Sequence, residues 1–268
     1  DIVSCGDGGF FVQERAEEKE IMGNFLVNSE GYLTGAGYVA AVIAGILLLA
    51  VGVYFARRGK QGRRISTKQL AFCGMAMALA FLTSYIKIFQ LPWGGSVTLC
   101  SMLFIVLIGN WYGVRTGIFV GCAYGILQFL QEPYVLSLFQ VCCDYWFAFA
   151  AMGIAGFFMR SKNGLLKGYV AAVLARGAFH SLGGYLYWMD YMPENFPQAL
   201  KSLYPILYNY SYILAEAILT IIIISIPAVA KSLNRIKQLA QRKEKSKKKR
   251  KNGGDGNDGF FLSVCLSF

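Results

Sequence analysis

Apolar runs broken by short polar or basic stretches make up most of this 268-residue chain. Crossing a hydrocarbon layer of about 30 Å takes about 20 helical residues. Seven runs reach or approach that length: 31–56, 67–90, 97–112, 116–131, 134–158, 168–188 and 204–230. Each is read as one helix. The breaks between them carry turn formers or charge. The clearest is Leu91-Pro92-Trp93-Gly94-Gly95-Ser96, which combines several strong helix breakers. Arg115, Glu132-Pro133 and the basic segment from Arg160 to Lys167 mark further turns. A longer loop, 189–203, carries Asp190 and Glu194.

Composition agrees with this pattern. Hydrophobic residues make up 56% of the chain and charged residues 15%, where a soluble domain carries about 25% charge. The predicted fold class is therefore an all-α integral membrane protein, with the lipid bilayer as its surroundings. The net charge of +11 does not point to nucleic acid, because it concentrates in the breaks and the tail. Basic clusters after residues 56, 114, 159 and 230 fall on one side if the chain crosses seven times. The acidic N-terminal stretch, Glu132, Asp190 and Glu194 then fall on the other. Cytoplasmic loops favour Lys and Arg, so the N-terminus is expected outside and the C-terminus in the cytoplasm. The reading divides the chain into an acidic external segment (1–30), a first helix with a basic linker (31–64), a membrane domain (65–232) and a basic tail (233–268). The run 31–56 could also be a signal peptide, but its basic cluster follows the run instead of preceding it.

Candidate chemistry is sparse. The seven cysteines are scattered without a CxxC and read as small buried hydrophobes. No Walker A, HExxH or GxSxG motif is present, and there is one histidine. No enzyme, cofactor or metal is expected. An intramembrane enzyme using His180 with Asp144 or Glu216 lacks a nucleophile motif. Ionisable groups at membrane depth are costly and are functional candidates by default. Here they are Asp144, Arg176, His180, Glu216 and, near a helix end, Lys87. Arg176 could serve as a structural bridge to Glu216, and Lys87 could snorkel to the surface. His180, Gly184 and Trp188 share one helix face at i, i+4 and i+8. An imidazole, a gap and an indole in a column suit a flat, partly cationic ring. The plain alternative is an interfacial Trp beside an incidental His.

Three motifs carry a resemblance to a known family. They are the outer turn 91–96, the segment from Pro133 to Tyr145 with Tyr134 ten residues before Asp144, and His180-x3-Gly184-x3-Trp188 followed by Tyr204-x4-Asn209. Over 67–230 the chain resembles the thiamine-specific substrate-binding subunit (S component) of energy-coupling factor (ECF) transporters. The resemblance implies a six-helix core, to which the run 31–56 adds one extra N-terminal transmembrane helix. It implies thiamine as ligand, and as partners a transmembrane coupling subunit and two ATPase subunits. By the same resemblance Asp144 would hydrogen-bond the aminopyrimidine, with Tyr134 and Tyr145 at that end. Many members have Glu in that place; this chain has the shorter Asp. Trp188 would stack on one ring and a neutral His180 on the thiazolium, with Gly184 between them. Tyr204 and Asn209 would add polar contacts, and Trp93 would belong to the lid. An outer-loop aromatic of some members is replaced here by Pro193. Docking on the coupling subunit would use Ala71, Gly74 and Ala78. Two alternatives stay open: a self-sufficient proton-coupled thiamine transporter, and an S component for another flat heterocyclic vitamin.

Overall fold

The computed structural model describes residues 26–28, 32–43, 47, 66–92 and 94–242. Residues 35–43 are helical, and the rest of the expected 31–56 helix falls mostly outside the described residues, as does Trp93.

Helix α1, Thr67–Ser84, starts where the Ser66 hydroxyl accepts a bond from the Gln69 amide at 3.1 Å. This is the usual N-cap device for a first-turn N–H. The helix stops at Ser84, short of the expected 90. Strand β1, Lys87–Gln90, follows and pairs antiparallel with β2, Ser96–Thr98, in the register Phe89 to Val97 and Gln90 to Ser96. The physical reason is local. Ile86, Ile88 and Phe89 suit an extended chain, and Gly94 and Gly95 adopt φ of +87° and +85° to close the turn. The expected run 97–112 is shortened for the same reason. Its helix, α2, is Ser101–Tyr112. At about 18 Å it is too short to span a bilayer alone. It lies in the centre of the molecule, buried at every position except Phe104 and Tyr112.

Helix α3, Val114–Gln131, packs against α4, the continuous helical run Leu138–Phe158. Their contact is backbone to backbone. A Cβ on Gly153 would sit 2.3 Å from the Ile118 nitrogen, and one on Gly117 would sit 2.7 Å from the Gly153 Cα. Within α4 the stretch Cys142–Phe147 widens into a π-helical turn and Met152–Phe158 tightens into a 3₁₀ turn. Helix α5 is Gly164–Tyr187 and α6 is Tyr204–Ser225. The expected run to 230 breaks at Ile226, which is extended before Pro227 (ψ 123°), as proline disfavours helical geometry in the residue before it. Helix α7, Pro227–Gln241, folds back under α2. Tyr112 donates to the Ala240 carbonyl and Gln241 to that of Trp111.

The outside of the bundle is apolar. Leu70, Met75, Leu79 and Leu82 of α1 are exposed, as are Leu207, Leu214, Ile218 and Ile222 of α6. The buried face of α5 is mostly small, with Gly164, Gly168, Ala172, Gly177, Ser181, Gly183 and Gly184 beside Tyr169 and Val173. Large apolar side chains outward and small residues at helix contacts is the arrangement expected where the surrounding solvent is lipid. Leu138–Phe158 and Gln198–Ser225 are each long and apolar enough to cross a membrane.

Candidate functional site

Four polar side chains from two helices meet within the bundle. Asp144 stands on the π-helical turn of α4. One turn earlier, the buried Gln140 donates its amide to Asp144 Oδ2 at 2.7 Å and accepts from the Leu136 N–H at 3.1 Å. From α5, His180 Nδ1 approaches Asp144 Oδ1 at 3.4 Å. Arg176, one turn below, donates Nε–H to His180 Nε2 at 3.3 Å. A ring nitrogen that accepts from a guanidinium carries no proton, so the proton sits on Nδ1 and faces the carboxylate. The imidazole is thereby held neutral between a cation and an anion. The Arg176 guanidinium also lies 4.5 Å over the Phe149 ring, a favourable place for a desolvated cation. The network is charge-balanced, which lowers the cost of a carboxylate in this setting.

Glycines let α5 come this close. A Cβ on Gly183 would lie 2.8 Å from Asp144 Oδ1, and one on Gly184 would lie 2.8 Å from Asn209 Nδ2. Asn209 donates to the Pro205 carbonyl at 2.8 Å and accepts from the Tyr212 hydroxyl at 3.0 Å. The Tyr212 ring reaches back to His180, centroid to centroid 6.3 Å and edge to face. Tyr204, Tyr208 and Tyr212 repeat every four residues along α6 and form a ladder of neighbouring rings. The β1–β2 turn rests on this ladder. Tyr208 donates to the Gly94 carbonyl at 2.9 Å, and a side chain at Gly95 would enter the Tyr212 ring.

A second, outer layer is aromatic. The Tyr134 and Trp188 rings are 5.0 Å apart at 31°, and Tyr191 lies 5.1 Å from Trp188. Tyr32 meets Tyr134 edge to face at 5.6 Å. Burial and the neighbouring Tyr191 hydroxyl push the Tyr134 phenol up to about 12, so it stays a neutral donor near pH 7.

The sequence-derived set is therefore only partly gathered. Asp144, His180, Gly184 and Asn209 come together, with Tyr134 and Trp188 stacked above at the end of α5. Tyr204 is buried at the outer end of the tyrosine ladder, against Phe196. Tyr145 turns toward α3: its hydroxyl donates to the Glu132 carbonyl at 2.6 Å and its ring meets Phe129. The bridge considered between Arg176 and Glu216 does not form. Glu216 is 2% exposed and accepts from the Thr98 N–H and hydroxyl, the Ser101 hydroxyl and the Met102 N–H. It caps the start of α2, where the helix dipole favours negative charge. Lys87 pairs with Glu132 instead of merely snorkelling. Ala71, Gly74 and Ala78 are exposed on the outer face of α1, with nothing within 4 Å of a Cβ placed on Gly74. Gln140, Gly183, Tyr208, Tyr212 and Tyr191 were missed from sequence. The i, i+4 pairing of Gln140 with Asp144 in an apolar run, and the four-residue tyrosine repeat, were the available signals. Among the described residues no cluster of three or more His, Cys, Asp or Glu side chains could hold a metal ion. A recess of about 430 Å³ lies at the other end of α5, away from Asp144.

Comparison with known proteins places the chain. It is 32% identical over 154 residues to the thiamine transporter ThiT of Bacillus subtilis (strain 168), a match covering 50% of this chain and 76% of that protein. The solved structure of ThiT from Listeria monocytogenes superposes with a TM-score of 0.48 at 21% identity, covering 65% of this chain and 93% of that one. The family profile described as thiamine transporter protein (Thia_YuaJ) matches residues 70–236, more than half of the sequence, and the chain belongs to that thiamine transporter family.

Proposed function

We propose that this chain captures thiamine from outside the cell as the high-affinity S component of an ECF-type vitamin importer. The observation that carries the reading is the partly exposed carboxylate of Asp144, set beside a neutral imidazole and below a stack of aromatic rings. Thiamine is a permanent cation with two flat rings. A carboxylate facing its aminopyrimidine makes charge-assisted hydrogen bonds, stronger than neutral ones. Each aromatic face offered to the thiazolium contributes about 0.5–2 kcal/mol. In this reading the Tyr134 and Trp188 rings part to admit the vitamin. Trp188 covers one ring, and His180 with Tyr212 covers the other. The β1–β2 turn acts as the lid. Tyr145 contributes by holding the start of α4 against α3. The N-terminus lies outside and the basic tail in the cytoplasm. The exposed Ala71, Gly74 and Ala78 support docking on a coupling subunit that carries two ATPases, since small residues let a partner helix approach closely.

The test is thiamine titration of the purified chain followed by tryptophan fluorescence, with riboflavin and a free pyrimidine as controls. Quenching by thiamine alone is expected, and Trp188→Ala should remove most of it. Quenching of undiminished size in that variant would shift the stacking role to Trp93 or Trp146. Stronger quenching by riboflavin would change the vitamin. His180 and Asp144, an imidazole and a carboxylate 3.4 Å apart at membrane depth, are the groups a proton-coupled alternative would use. Uptake by the chain alone in vesicles with a pH gradient, and no ATPase subunits, would select it.

A further inference from the structure

The recess of about 430 Å³ at the far end of α5 falls within the size range of small-molecule sites. It is lined by the first turn of α5, by α2 and α7, and by the end of α6. Gly164 and His180 are 16 residues apart on α5, about 24 Å along a helix, so this recess is separate from the thiamine site.

Donors without partners converge at one side of it, beside the mixed polar groups of Ser161, Asn163, Ser225 and Asn234. The α5 N-terminus opens into it through Asn163, Gly164, Leu165 and Leu166, and no side chain caps that end. The Gly164 N–H donates to the Ser161 carbonyl at 3.0 Å, which leaves the first-turn N–H groups of Leu165 and Leu166 without an acceptor in their own helix, and the dipole there favours an anion. The second observation is independent of the helix. Asn110 lines the recess, is 0% exposed, and its Nδ2 has no hydrogen-bond partner. It sits 3.7 Å from where a Gly164 Cβ would be. An unpartnered buried amide donor costs about 1–3 kcal/mol. The other end of the same amide accepts from Lys237 Nζ at 3.1 Å, and that ammonium also donates to the Met159 carbonyl at 3.4 Å. Among the described residues no carboxylate lies within 4 Å of Lys237. Burial among neutral acceptors pushes its ammonium down from the usual lysine value, so it gains from a counter-charge. Ser161 and Asn234 add polar groups at the rim, and Trp111 and Leu233 give an apolar wall.

We propose that this recess is an oxyanion site for a phosphate group, bound by Lys237, the Asn110 amide and the N–H groups of Leu165 and Leu166. The volume leaves room for an organic substituent on the phosphate beside Trp111. A soluble phosphate compound and the headgroup of an anionic lipid share this chemistry.

The experiment measures the thermal unfolding midpoint of the full chain in phosphatidylcholine nanodiscs. Sodium phosphate is compared with sodium chloride at equal ionic strength, and with nanodiscs containing phosphatidylglycerol in chloride. A ligand that binds the folded state alone raises the midpoint. A rise of several degrees in phosphate is expected, with a change in Trp111 emission. The rise should vanish in Lys237→Gln and in the exposed-site variant Ser161→Asp, and persist in Lys237→Arg. A rise confined to phosphatidylglycerol discs, with the same variant pattern, identifies the lipid headgroup as the source. Equal midpoints in all three conditions, or a rise that survives both Lys237→Gln and Ser161→Asp, overturns the proposal.

Discussion

The bundle holds two carboxylates among apolar helices, and they are treated in opposite ways. Glu216 is sealed. Four donors from the β2–α2 junction surround it, and it is 2% exposed. Its lone pairs are spoken for, and it joins α6 to the start of α2 across more than a hundred residues. Asp144 is held by one amide and one imidazole, and its side chain keeps 16% of its surface exposed. A carboxylate with spare acceptor capacity at an accessible depth is placed for a guest. One with none is placed for architecture. Sequence alone gives both the same default reading, since an acid within a membrane segment is a functional candidate whichever role it has.

The contrast can be broken by substitution. Glu216→Ala strips the acceptor from two N–H groups and two hydroxyls, at about 1–3 kcal/mol for each one left buried. A stability loss of about 4 kcal/mol or more is expected, read as a large fall in the unfolding midpoint, while the folded fraction binds thiamine normally. A midpoint near that of the unaltered chain would show that the cap is dispensable. Asp144→Ala should do the reverse. Thiamine affinity falls by about 2–5 kcal/mol in titration calorimetry, with a smaller change in midpoint; unchanged affinity removes Asp144 from the site.

Gly183→Ala sharpens the comparison without touching either charge. The new methyl sits 2.8 Å from Asp144 Oδ1, and the carboxylate must turn away. A roughly tenfold loss of affinity is expected, or about 1.4 kcal/mol. Equal affinity would mean that this rotamer does not matter to binding. The smallest effect belongs to the rim pair Lys87 and Glu132, where the carboxylate side chain is 57% exposed. Lys87→Met should cost less than about 1 kcal/mol, as exposed pairs do, and the difference should shrink in high salt. A cost that salt leaves unchanged would recast the pair as a buried strut between β1 and α3.

Legibility in the sequence followed the range of the interaction. That His180 and Gly184 share a face was readable from helical spacing, and Asp144 stood out as an acid within an apolar run. The cap on Glu216 was not, because its donors are far away in sequence and Thr98, Ser101 and Met102 look unremarkable in an apolar run. The β1–β2 hairpin was absorbed into helices on both sides. Ile86 to Phe89 is as apolar as a helix, and hydrophobicity alone does not separate the two states. The break at Ile226-Pro227 was legible in principle from proline's effect on its neighbour, but the apolar run across it concealed the corner. The family resemblance put Tyr145 at the same end of the site as Asp144. Successive helical residues point about 100° apart, and that rotation carries it toward α3.

The widened turn at Cys142–Phe147 bears on how the cluster around Asp144 arises. A π-helical turn accommodates one residue more than a regular α-helical one. Delete a single codon there and the widened turn becomes regular α-helix, with the 3₁₀ end of α4 and its packing on α3 preserved below. The acid above would swing by about 100°, out of reach of His180. One small insertion or deletion is thus enough to make or undo this meeting of Asp144 and His180, leaving the rest of the scaffold as it was.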